Sequence, residues 1–339
     1  MRRGWAAIAV LLLLAACKAG DGDPFVQSRP PATLGARFYP PEGWGWGLLK
    51  LGDAPSQRYG VSAPATVMRA QVLILPDYGE SAETWFETAS DLNALGYGVW
   101  VLEGAGQGGS GRLTDPRDLG YARSFNPDAA AVRAMINTVI RPSPASPLFI
   151  LGEGVGGMVA IRAGERPLDA KGLILSNPAL DDRPGGAMTD LQVLLGGKGR
   201  ALGGKPWRRD SPDAFATGGT HDPWRGRTTH LWQVANPDLR IGAPSLAWVS
   251  AYNLSAGLAR DDLKDQQTPA LMLEPATGAR GCRALPHCEA HTLAGAGPML
   301  ELEKDAVRRA WLADIDAFIR AQVTPLPPPA ARSHPSRPG

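Results

Sequence analysis

The chain has 339 residues, 35 of them Lys or Arg and 33 Asp or Glu, for a formal charge of +2. Two of the arginines, Arg2 and Arg3, lie within residues 1–16, so the remainder carries 33 basic and 33 acidic side chains. A balance of that kind, with no basic run, excludes an electrostatic footprint for nucleic acid.

After Arg2 and Arg3 comes an apolar stretch from Trp5 to Leu14, then Ala15, Ala16 and Cys17. The stretch is shorter than the ~20 residues a membrane-spanning helix needs. A positive head, a greasy core and a small-residue processing site predict instead a cleaved leader over residues 1–16. Residues 17–35 are polar with Gly and Pro and are expected to form a tether; residues 325–339 are mostly Pro, Ala, Arg and Ser and are expected to be a disordered tail. The length between, residues 36–322, suits one α/β domain with an inserted cap.

Within it, Gln71–Leu75 predicts a strand ending at Pro76, residues 84–95 a helix, and Gly98–Leu102 the next strand, followed by a glycine-rich turn from Gly104 to Gly111. Asn126–Ile140 has helical spacing, with Pro127 in a first turn that tolerates it. Leu148–Leu151 predicts a third strand, Val155–Ala163 a helix of small residues and Gly172–Leu175 a fourth strand. The alternation lapses over about 181–260, rich in Gly, Pro and Trp, and resumes with a strand at Pro269–Leu273 and a helix over Glu303–Ile319. Alternating strands and helices with short connections predict a mainly parallel sheet covered on both faces. The insertion is placed to cap the carboxyl ends of the strands, where such sheets bind ligands. Trp207, Trp224, Trp232 and Trp248 of the insertion either line an apolar cavity or pack the cap itself.

Cys282 and Cys288 remain once Cys17 is set aside, and an exported chain predicts a disulfide between them. The alternative, a zinc set with His287 and His291, does not have the spacing of a familiar zinc motif. No metal site and no cofactor is implied.

Leu14, Ala15, Ala16, Cys17 resembles the bacterial lipoprotein box, which implies a diacylglyceryl group on Cys17. Lys18 after that cysteine, in place of aspartate, implies outer-membrane sorting facing the periplasm. The body of the chain resembles the serine-hydrolase family of bacterial lysophospholipases and monoacylglycerol lipases, with an α/β-hydrolase fold. The family's Asp-His-Arg-Gly-Gln-Gly-Arg-Ser-Gly-Arg run appears as Glu103 to Arg112, and its ending before Glu-Lys-Asp appears as Gly295, Ala296, Gly297, Pro298, Met299 and then Glu303, Lys304, Asp305. The nucleophile motif Gly-His-Ser-Met-Gly-Gly falls on Gly152, Glu153, Gly154, Val155, Gly156, Gly157, between a predicted strand and helix as such an elbow requires.

The triad positions implied by the resemblance are Gly154 for the nucleophile, Gly278 for the acid and Pro298 for the base, none of which can do the chemistry. Ser110 and Ser176 are alternative nucleophiles, with Asp77, Glu153, Asp222, His221, His287 or His291 as acid or base; each is more simply a turn or loop residue. A vestigial oxyanion hole is expected from the N–H groups of Tyr78 and Val155, beside a pocket bordered by Asp77, Glu153 and Gly154. The expectation is a catalytically silent envelope lipoprotein that holds a lipid or small amphiphile under its cap; the alternative is a lysophospholipid or carboxylic-ester hydrolase with a displaced nucleophile.

Overall fold

A computed structural model of the chain describes residues 22–182, 193, 196–275 and 280–323. Eight strands form one sheet in the order β1-β2-β4-β3-β5-β6-β7-β8. They are β1 (Gly45–Leu49), β2 (Gln57–Ser62), β3 (Ala70–Leu75), β4 (Tyr97–Leu102), β5 (Leu148–Glu153), β6 (Gly172–Ser176), β7 (Ala270–Glu274) and β8 (Cys288–Thr292). From β4 through β8 every neighbour is parallel, while β2 runs antiparallel to both β1 and β4. β3, β5 and β6 are buried along their whole length, as strands covered on both faces must be, which is why each reads as a continuous apolar run.

The covering helices are α1 (Phe86–Ala94), α2 (Asn126–Ala134, widening into a π turn over Met135–Ile140), α3 (Gly154–Ala163), α4 (Thr228–Ala235), α5 (Leu246–Asp262), the short α6 (Arg280–Ala284) and α7 (Asp305–Gln322). On one face α2, α3 and α5 bury Val132, Met158, Ile161 and Ala256 against the sheet. On the other, α1 and α7 bury Ala89, Leu92, Trp311 and Ile315.

Three differences from the sequence reading have physical causes. The tether expected over 17–35 is, from Gly22 onward, laid on the domain as a strap held mainly by backbone groups. Phe25 N–H donates to Gly109 O (2.7 Å), Arg112 N–H to Gly22 O (2.9 Å), and Arg29 exchanges two hydrogen bonds with the Asn236 side chain (2.7 and 3.0 Å). The cap expected over 181–260 ends earlier than predicted, because α5 packs on α3 and belongs to the body. β1, β2 and β8 were absent from the pattern: two are interrupted by glycine and the third is an exposed, polar edge strand. The Cys282–Cys288 disulfide is formed, with a Cα separation of 5.4 Å, and ties α6 to the start of β8. Cys17 and residues 325–339 lie outside the described residues.

Candidate functional site

β5 delivers the chain to the middle of the carboxyl edge and α3 carries it away. Between them the backbone must reverse sharply, and Gly154 does so at φ +49°, a conformation that disfavours any side chain. Two residues on, Gly156 lets α3 start hard against β3: a Cβ there would lie 1.9 Å from Leu75 O. The local geometry is that of a nucleophile elbow. At its apex there is no side chain.

The vacated space is filled from β3. A Cβ on Gly154 would sit 2.3 Å from both Cγ and Oδ1 of Asp77, so the Asp77 carboxyl group occupies the volume of a residue-154 side chain. Asp77 Oδ1 accepts the Val155 N–H at 2.7 Å. That corrects the expectation of an open oxyanion hole, because the α3 amide that would hold an oxyanion already holds a carboxylate of the same chain. The side chain of Tyr78, whose backbone N–H is the other expected donor, donates its hydroxyl to Gly242 O in the cap (2.8 Å) and sets its ring edge-on to Trp248.

Around Asp77 the acids are crowded. Glu80 Oε2 accepts both the Asp77 N–H and the Trp85 Nε1–H at 3.0 Å, and burial, reinforced by the Asp77 charge, pushes its pKa up to about 7. Glu153 is raised well above the carboxylate range by burial and then by Glu301, against a Ser176 hydrogen bond that favours its charge. Glu301 is raised likewise by burial and by Glu80. Unmatched oxygens remain on Glu80, Glu153 and Glu301, and with no cation among the described residues to offset their burial the protonated form of each is favoured. Among the described residues no cluster of His, Cys, Asp or Glu has the arrangement of a metal site.

Two spaces meet at Tyr78 and Glu80. One is a chamber of about 40 Å³ behind Asp77, walled by Val155, Phe125, Trp248 and Asp128, whose pKa burial raises to about 6. The other is an open cleft of about 650 Å³ between the sheet edge and the cap, bordered by Trp207, His230, Gln233 and Met299. Gln233 spans its floor, accepting from Trp207 Nε1 (2.7 Å) and donating to Gly79 O (2.9 Å). Of the expected border residues, Asp77 lines the chamber, whereas Glu153 and Gly154 are buried behind the wall. The four tryptophans expected in the cap divide: Trp207 of the cap and Trp248 of α5 line the spaces, Trp232 packs with Phe86, and Trp224 is exposed.

The remaining candidates do not assemble into a triad. Ser110 is fully buried and its Oγ accepts Arg58 N–H (2.9 Å); Ser176 is fully buried and accepts Trp311 Nε1–H (3.1 Å). Asp222 caps its own turn and pairs with Arg225. His291 meets Asp314 (3.1 Å). Pro298 offers only its carbonyl, to Asn177 Nδ2 (3.0 Å), and Gly278 lies outside the described residues. Beside Pro298, however, His221 Nδ1 meets Glu303 Oε1 at 2.8 Å. Burial opposes the Glu303 charge, but N–H groups of Gly297, Lys304 and His221 hold its pKa below the usual range. Glu80 and Glu301 are not marked by any motif in the sequence, and Glu303 stands there only as the first residue of the Glu303-Lys304-Asp305 run, with no functional role.

The family model described as "Serine aminopeptidase, S33" matches residues 66–274. The chain belongs to that family. Lysophospholipase L2 of Escherichia coli K12 is 28% identical over 220 residues, covering 60% of this chain and 62% of that protein; the chain thus matches about three-fifths of the length of this relative. A monoacylglycerol lipase of Mycolicibacterium smegmatis is 28% identical over 130 residues, 38% of this chain and 44% of its own. Among solved structures, a thermostable carboxyl esterase from Bacillus coagulans superposes with a TM-score of 0.66 at 14% identity, over 83% of this chain and 99% of that one. A soluble variant of monoglyceride lipase from Saccharomyces cerevisiae, bound to a substrate analog, gives 0.61 at 16%, over 82% and 96%. The fold is that of the α/β-hydrolases, and the chain is lysophospholipase-like and monoacylglycerol-lipase-like.

Proposed function

We propose that this chain is a catalytically silent α/β-hydrolase, anchored as a lipoprotein in the bacterial envelope and facing the periplasm from the outer membrane, that holds a lipid or small amphiphile in the cleft under its cap. The observation that carries the silence is Asp77: its carboxyl group takes the space of the missing nucleophile and accepts the Val155 N–H. Supporting the binding role is a cleft of about 650 Å³ with aromatic and polar walls, the size of a small-molecule site. Supporting the anchor is the sequence around Cys17.

His221, oriented by Glu303 beside Pro298, favours a second reading, a hydrolase whose base has moved into the cap. Against it, Ser110 and Ser176 are buried and engaged elsewhere. The two readings separate on covalent labelling of the purified protein by a fluorophosphonate probe, followed by peptide mapping. No stoichiometric adduct is expected. Full labelling of one serine, abolished by its alanine substitution and weakened by His221→Ala, would establish the displaced site instead.

A further inference from the structure

We propose that the carboxyl edge of the sheet, with the cap and the strap, is the surface that lies against an anionic phospholipid bilayer. The proposal rests on the anchored reading for its geometry, and on the cap's own composition for its chemistry.

The geometry begins with where the strap leaves the body. Gly22 O accepts the Arg112 N–H, and Arg112 also donates to Asp238 O of the cap (2.6 Å), so the first described residue sits where the loop after β4 meets the cap. That loop follows Leu102, at the carboxyl end of its strand. Cys17 is five residues earlier. Five residues fully extended reach only ~18 Å. A diacyl chain on Cys17 therefore holds this edge near the lipid headgroups, and the opposite edge faces away.

The cap has a composition that fits the position. Residues 197–245 carry eight basic and four acidic side chains, whereas the chain after residue 16 is neutral as a whole, so the rest of it is negative by the same amount. Arg225 is buried among Glu87, Asp222 and Asp305, and Arg200 is paired with Asp118. Lys198, Lys205, Arg208, Arg209 and Arg227 remain exposed. Interspersed with them are apolar side chains in water: Leu202, fully exposed, Trp224, 63% exposed, and Phe215. Leu202 adjoins Gly203 and Gly204 of the cleft lining and Phe215 follows Ala214 of the same lining, so these two stand at its rim, while Trp224 borders a separate groove of the cap with Leu34, Phe38 and Arg227. Basic side chains beside exposed aromatic and aliphatic ones are what an anionic interface attracts. Two weak contributions, a lipid chain and a basic-apolar surface, together give stable attachment where one alone is reversible.

The test uses the chain from residue 17 onward, produced without its leader. With Cys17→Ser and no lipid, it is expected to cosediment with vesicles containing phosphatidylglycerol, to be released by high salt, and to leave vesicles of phosphatidylcholine alone unbound. Leu202→Asp with Trp224→Asp, both at exposed positions that leave the core intact, should weaken that binding by roughly tenfold or more. For orientation, the chain is coupled through Cys17 to a maleimide lipid, and an environment-sensitive dye is placed by amber suppression at position 202 or at Val67, which is exposed just before β3. Brominated lipid should quench the dye at 202 and spare the dye at 67. Absence of binding to phosphatidylglycerol vesicles, unchanged binding by the double variant, or equal quenching at both positions overturns the proposal. Because the lipid is attached chemically, these outcomes do not depend on acylation in the cell, which mass spectrometry of the native N-terminus tests separately.

Discussion

At the scale of single residues, Gly154 and Asp77 form a complementary pair: one lost its side chain and the other fills the space. Restoring the hydroxyl alone therefore does more harm than good. Gly154→Ser introduces a Cβ at φ +49° and 2.3 Å from Asp77 Cγ, so it must strain the turn and push Asp77 off the Val155 N–H. A loss of about 1–3 kcal/mol is expected from left-handed strain and the broken hydrogen bond. Adding Asp77→Ala should recover part of it by making room, which urea melts of the single and double variants would show. Esterase activity should remain at background in both, because Pro298 supplies no base and a serine without one is a poor nucleophile at neutral pH; activity abolished by His221→Ala would instead establish the displaced base.

Between elements, the carboxyl ends of β3 and β5 and the turn before α7 bring Glu80, Glu153 and Glu301 together. Parallel register is the cause: Leu75 pairs with Gly152 and Glu153 with Ser176, so residues far apart in sequence finish side by side. Their raised pKa values set a direction for stability against pH. Above about pH 4.5 the unfolded chain releases these protons while the folded chain keeps them, so folding weakens as pH rises until the folded groups also ionise, near 7 for Glu80, with Glu153 and Glu301 raised in the same direction. Glu80 alone accounts for up to about 3 kcal/mol of that loss. Urea-unfolding free energies should fall between about pH 4.5 and 7, and Glu80→Gln, which keeps the shape and cannot ionise, should flatten the slope. A slope unchanged by that substitution would remove the Glu80 assignment.

The elbow was legible because its requirements are local: small residues at 152, 156 and 157 between an apolar strand and a helix, all within ten residues. The five central strands were legible for the same reason, since burial on both faces demands continuous apolar runs. The acid cluster was not, because Glu80, Glu153 and Glu301 share no segment and meet only through the sheet. Asp77 was visible as a pocket residue, but that it reaches into the nucleophile's space depends on the separation of β3 and β5. α5 is hard to read because its exposed side carries Leu254 and Leu258 while its buried side includes Ser255 beside Trp248, Tyr252 and Ala256, so no polar stripe reveals the helical period.

For the whole molecule, the strap changes where the folded unit begins. The pattern of strands and helices puts that start near residue 36, yet Phe25, Arg29 and the carbonyl of Gly22 are bonded to the β4 loop and to the cap. A polypeptide cut at 36 keeps the sheet and both helical layers but loses the reciprocal Arg29–Asn236 pair. Asn236 ends α4 and also donates to Trp232 O, so its release loosens the helix that carries Gln233 across the cleft floor. Hydrogen–deuterium exchange should register this as faster labelling over residues 228–240 in the chain cut at 36 than in the chain cut at 22, with β3, β5 and β6 unchanged. Residues 22–35 thus act as a splint for the binding cleft, and a preparation that trims them as dispensable would report a floppier cavity, and weaker ligand retention, than the intact protein possesses.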